Sequence, residues 1–116
     1  MTIVLIVDES RKTRLVFKMM FRKFTILAAG TGKEALQLYK KHQPDIVILG
    51  LILPDMEGIE VMKRILKRNS KAIVLILTAL SDINVPEILA AGAKEVFFKP
   101  IRKKTLCKTI TKELGL

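Results

Sequence analysis

Three stretches constrain the fold of this chain more than any other feature: "TIVLIV" (2–7), "DIVIL" (45–49) and "AIVLIL" (72–77). Each is a mostly β-branched apolar run without polar alternation. A strand with one wet face would alternate, so these runs are expected of strands covered on both faces, as in a parallel sheet. Two weaker runs, "TILAA" (25–29) and "EVFF" (95–98), suit the edges of such a sheet. Between the runs lie stretches of helical periodicity, at about 11–23, 32–42, 58–68, 83–91 and 102–114. Ser10 can cap the first helix, Pro44 ends the second, and Gly92 fits the stop of the fourth. This order predicts a single α/β domain over residues 1–116, five βα units with helices on both faces of a parallel sheet.

In such sheets ligands bind beyond the carboxyl ends of the strands. The residues expected there are Asp8 and Glu9, Gly50, Thr78, and Lys99 with Pro100. Buried unpaired acids are costly. The Asp8–Glu9 pair therefore suits either a hard cation such as Mg²⁺ or the dipole at the start of the first helix. Lys99 pointed into the same crevice would supply their counter-charge, and Pro100 can fix its backbone through a cis bond. A threonine after a strand, as at Thr78, can simply satisfy a turn.

Composition removes several alternatives. Cys107 is the sole cysteine, which excludes an intrachain disulfide and suits a reducing cytoplasm. His42 is the sole histidine, which excludes a His-rich metal site within one chain. No apolar run reaches the ~18–20 residues of a membrane span, and "MTIVLIVDE" lacks the basic start of a signal peptide. A cytoplasmic protein without membrane insertion is expected. The net charge of +10 favours anionic partners. The bases are spread along the chain, with Arg11, Lys12, Arg14, Lys18, Arg22 and Lys23 in the first helix segment. Further groups lie in the third and last helices. The expectation is that each helix shows an ordinary solvated face. No nucleic-acid motif or aromatic stacking platform accompanies the charge.

Taken together, "VLIVDES" (4–10), "PDIVILGLILPDMEGIE" (44–60), "LTA" (77–79) and "AGAKEVFFKP" (91–100) resemble the receiver domain of two-component response regulators over nearly the whole chain. The resemblance implies a flavodoxin-like (βα)₅ fold with strand order 2-1-3-4-5. It places Asp8 and Glu9 at the family's Mg²⁺-binding acids, with a backbone carbonyl near Ile52 as a further ligand. It makes Thr78 the switch hydroxyl and Lys99 the lysine that contacts the phosphoryl group, with a cis bond to Pro100. Two positions depart from the pattern. Gly50 stands where the family has the aspartate that accepts the phosphoryl group and ligates Mg²⁺, and a glycine can do neither. Val96 stands where the family usually has the aromatic ring that moves with the switch hydroxyl.

No other residue replaces the acceptor. Asp55 is in the loop at an outward position, His42 lacks a phosphotransfer setting, and "GTGKE" (30–34) lacks the spacing of a phosphate loop. The expected function is a stand-alone receiver that is no enzyme, binds Mg²⁺ weakly if at all, and acts through protein contacts without aspartyl phosphorylation. The family's usual contact surface corresponds to residues 83–114. "LVFKMMF" (15–21) offers a second surface, for a partner or a homodimer, unless its excess of apolar residues is buried against the last helix. The alternatives are a phosphorelay receiver whose acceptor was substituted, a basic nucleic-acid-binding module, and an anion sensor built on Lys99 and the space over Gly50.

Overall fold

In the computed structural model, which describes residues 1–116, every apolar run forms a strand. The elements are β1 (Ile3–Val7), α1 (Arg11–Met20), β2 (Thr25–Ala29), α2 (Gly32–His42), β3 (Ile46–Leu49), α3 (Gly58–Arg68), β4 (Val74–Thr78), α4 (Val85–Ala90), β5 (Glu95–Phe98) and α5 (Lys103–Leu114). All strand pairs are parallel, in the order β2-β1-β3-β4-β5. This is the flavodoxin-like fold, with β2 and β5 at the edges.

Two cores account for the lack of alternation in the central strands. Leu5, Val7, Val47, Leu49, Val74 and Ile76 face one layer, where they meet Ala35 and Tyr39 of α2, Val61, Met62 and Ile65 of α3, and Ile88 of α4. Their neighbours Val4, Ile6, Ile46, Ile48, Leu75 and Leu77 face the other, against Phe17 of α1 and Leu106 and Ile110 of α5. Successive strand side chains point to opposite faces, so an apolar residue is required at every position. Burial of each such side chain contributes roughly 1.5–3 kcal/mol.

Beyond one-residue offsets at the starts of β1, β3 and α5, three elements differ from the sequence expectation. α1 ends at Met20 rather than near residue 23, because Phe21 and Phe24 turn down into the core. Their rings continue a stack from Phe17, with centroids 5.2 Å and then 6.4 Å apart. The excess apolar character of "LVFKMMF" thus divides. Phe17 and Phe21 are buried under α5, while Leu15, Val16 and Met19 remain exposed. β4 starts two residues later than its apolar run and ends one residue later, so Thr78 closes the strand instead of following it. α4 begins only at Val85, since Asn84 caps it by accepting from the Glu87 N–H and Pro86 occupies the first turn. No helix is long and apolar enough to cross a membrane.

Candidate functional site

The carboxyl ends of β1, β3, β4 and β5 enclose a crevice of about 210 Å³, lined by Asp8, Glu9, Gly50, Ile52, Thr78 and Lys99 among others. Backbone bonds between neighbouring strands hold its walls. The Gly50 N–H donates to Val7 O at 2.8 Å, and the Lys99 N–H donates to Thr78 O at 2.7 Å. The peptide bond between Lys99 and Pro100 is cis. Gly58 closes the loop beneath: its N–H donates to Leu51 O, and a Cβ there would collide with the Gly50 carbonyl, so only glycine fits.

Two of the charges in the crevice, Asp8 and Lys99, are already matched to each other. Asp8 is 4 % exposed, and both of its carboxylate oxygens are engaged. Oδ1 accepts from the Ser10 N–H at 2.9 Å, and Oδ2 accepts from the Lys99 ammonium at 2.8 Å. Lys99 therefore pairs with Asp8 and not with Glu9, whose side chain is exposed. The buried Thr78 hydroxyl accepts from the Leu80 N–H at 3.0 Å, a local turn bond that satisfies it. Arg14 donates to the carbonyls of Asp8 and Glu9 at 2.7 and 3.1 Å and so braces the loop from behind.

This donor set does not fit tight Mg²⁺ binding. The ion requires near-octahedral oxygen ligands. Asp8 has given both oxygens to an N–H and an ammonium, and Gly50 brings no carboxylate. No group of three or more His, Cys, Asp or Glu residues comes together here. Ile52 is half exposed, and its backbone forms a bridge with Glu57 across the loop. Its side chain and that of Leu80, 55 % and 39 % exposed, give the crevice mouth an apolar rim.

The remaining sequence candidates lie outside the crevice. Val96 pairs in register with Ile76 and packs against the α2–α4 core, while Phe97 points to the opposite core and Phe98 is exposed. The strand partner of Thr78 is Phe98, whose ring is exposed, and no aromatic ring occupies position 96. Pro100 lines a separate groove between α1 and α5. Asp55 has a role that its place in the sequence did not reveal. Its carboxylate accepts from the Gly32 and Lys33 N–H groups at 2.7 and 2.9 Å, tying the loop after β3 to the start of α2. Those two bonds hold its pKa below the ordinary carboxylate value. The partners are 23 and 22 residues apart, so no local pattern announces the contact.

Comparison with known proteins agrees with this geometry. A family model described as the response regulator receiver domain matches residues 4–111. The chain is 33% identical to the chemotaxis protein CheY of Thermotoga maritima over 113 residues, covering 94% of both proteins. It is 31% identical to sporulation initiation phosphotransferase F of Bacillus subtilis over 116 residues, covering 97% of this chain and 94% of that one. Among solved structures, the CheX–CheY–BeF3–Mg²⁺ complex of Borrelia burgdorferi contains a chain 32% identical, with a TM-score of 0.88 over 96% of this chain and 87% of that one. A fold of order 2-1-3-4-5, an acid, a threonine and a lysine at the strand ends, and a match over almost its whole length establish that the chain belongs to the response regulator receiver domain family.

Proposed function

We propose that this receiver signals without aspartyl phosphorylation, through a protein-binding surface that does not wait for a phosphoryl group. The observation that carries the reading is the Lys99–Asp8 ion pair at 2.8 Å beside Gly50. The lysine that would meet an incoming phosphoryl group already has a carboxylate, and the residue that would accept the group has no side chain. Val96 supports the same reading, since the position lacks the ring that would report a movement of Thr78. Mg²⁺ binding is weak in this reading, because Asp8 must surrender Lys99 before it can ligate a metal. No nucleophile–base pair is assembled, so the domain acts as a signalling module and not as a catalyst. Its partner is a signalling protein in the cytoplasm, the class exemplified by the CheX–CheY complex, and the surface is the α4–β5–α5 region, residues 83–114.

The test is incubation with acetyl phosphate and Mg²⁺, followed by intact mass measurement. No added phosphoryl group is expected, and a stable adduct would overturn the proposal. A second reading, in which only the acceptor was substituted, is favoured by the otherwise preserved crevice. A Cβ on Gly50 would lie 3.3 Å from Val7 O and 3.6 Å from Asp8 Oδ2, tight but accessible to a side chain. Under that reading Gly50→Asp alone gains both phosphorylation and a phosphorylation-dependent change in partner affinity. Under the leading reading partner affinity is already present in the native chain and stays unchanged by the donor.

A further inference from the structure

The charge that looks dispersed along the sequence gathers on one face of the fold. α1 and α5 pack on the same side of the sheet, sharing the core of Phe17, Phe21, Leu106 and Ile110. They also share a groove of about 440 Å³, with Lys12 and Lys103 on its walls. Residues 11–23 and 102–114 hold eleven Lys and Arg against one acid, Glu113, whereas the rest of the chain holds ten bases and ten acids. The whole net charge of +10 therefore resides on the α1/α5 layer, and the remainder of the molecule is electrically balanced. All eleven bases except Arg14 are exposed. A face of that kind cannot pair with a second copy of itself without strong repulsion.

We propose that the α1/α5 face docks reversibly on an anionic lipid surface. The charge alone would suit any polyanion, and the side chains between the charges select among them. Leu15, Val16 and Met19, 48 %, 38 % and 69 % exposed, stand on α1 among Arg11, Lys12, Lys18 and Arg22. Apolar side chains interspersed with bases gain by entering the headgroup boundary of a bilayer, whereas a phosphodiester backbone offers them no apolar phase to leave water for. The two helices also lack what reads a nucleic acid. They contain no Asn or Gln, and their aromatic rings are buried. The Thr109 and Thr111 hydroxyls donate to the carbonyls of Thr105 and Cys107 in their own helix. Lys104, Lys108 and Lys112 form a ladder of i, i+4, i+8 spacing along the exposed side of α5, so several charges meet a flat surface together. The proposal is independent of the chemistry at Gly50.

Cosedimentation of the full chain with vesicles tests it. Binding is expected to vesicles of phosphatidylcholine containing phosphatidylglycerol, not to phosphatidylcholine alone, and to disappear at high salt. Each base near such a surface contributes about a fivefold factor to partitioning. Reversing Lys104, Lys108 and Lys112 to Glu should therefore reduce binding by well over tenfold. The same charge change at Lys40, Lys63 and Lys67, exposed on α2 and α3, should cost far less. Leu15→Ser with Met19→Ser should weaken vesicle binding several-fold while leaving the circular dichroism spectrum unchanged. Three results would each refute the proposal: no binding at low salt, equal losses from the two charge reversals, or duplex DNA binding tighter than vesicles with the Leu15/Met19 variant unaffected in both.

Discussion

Restoring the acceptor carboxylate should destabilise this receiver unless a metal is supplied. In Gly50→Asp the new Cβ would sit 3.6 Å from Asp8 Oδ2, which puts the two carboxylates on the order of 5 Å apart. At an effective dielectric near 20 their repulsion is about 3 kcal/mol. Lys99 stands beside both, but its side chain is 29% exposed and already engaged with Asp8, so its attraction offsets only about 2 kcal/mol of that. Partial desolvation of the new carboxylate adds on the order of 1 kcal/mol. Loss of glycine's backbone freedom returns roughly 0.5–1 kcal/mol, because Gly50 is not among the positive-φ glycines and an L residue fits its backbone. The net loss is about 1–1.5 kcal/mol. With about 2 cal/mol/K of unfolding entropy per residue, 1 kcal/mol corresponds to about 4 °C in a chain of 116 residues. The melting temperature followed by circular dichroism in chelator should therefore fall by about 4–6 °C, and millimolar Mg²⁺ should recover at least half of the loss by completing an oxygen donor set. Gly50→Asn supplies the same shape without the charge and should melt close to the native chain. If Asn lowers the melting temperature as much as Asp, the cause is the 3.3 Å approach to Val7 O and the electrostatic reasoning fails. A metal-free Asp variant as stable as the native chain would also refute it.

The Lys99–Asp8 pair is accessible to a double-mutant cycle with Lys99→Met and Asp8→Asn. Lys99→Met leaves a carboxylate that is 4 % exposed without its cation, so that single change should cost about 2 kcal/mol and the coupling should be about 1–3 kcal/mol in urea unfolding; a coupling near zero would show that the pair is incidental. Asp55 links stability to acidity. Its pKa is lowered in the folded state by the Gly32 and Lys33 N–H groups, so its contribution is complete above the unfolded value of about 3.8 and fades as pH falls below that through the depressed folded value. Asp55→Ala should lower the melting temperature at pH 6 and flatten its fall on the acid side; parallel acid limbs in the two proteins would mean that Asp55 plays no such part.

What the sequence allowed to be read followed the range of the interactions involved. The central strands were legible because burial on two faces demands an apolar residue at every position, and "DIVIL" satisfies that without reference to any distant residue. The crevice was legible because its parts sit at strand ends, where local sequence places them. The end of α1 was not, since Phe21 and Phe24 continue an apolar pattern while their burial in the core shared with α5 decides the fold of the backbone there. The hydrogen bonds of Asp55 were not, because they join segments that only the tertiary structure brings together.

The distribution of charge lies between these cases. In order 2-1-3-4-5 the crossover from β1 to β2 runs against the direction of the next three, so right-handed connections put α1 on the face opposite α2, α3 and α4. Only α5 then remains to cover the other half of that face. Strand order alone therefore implies that the bases of residues 11–23 and 102–114 share one surface. Counting charge by helix hides this, because each helix separately resembles an ordinary solvated face. Counting it by layer gives +10 on one side and balance on the other. A uniform excess would serve only for solubility, but an excess confined to the layer that also exposes Leu15, Val16 and Met19 has a direction. That direction orients the molecule toward an anionic surface; it leaves the crevice, α4 and β5 accessible but covers α5, so the lipid and a protein partner on residues 83–114 compete for that helix.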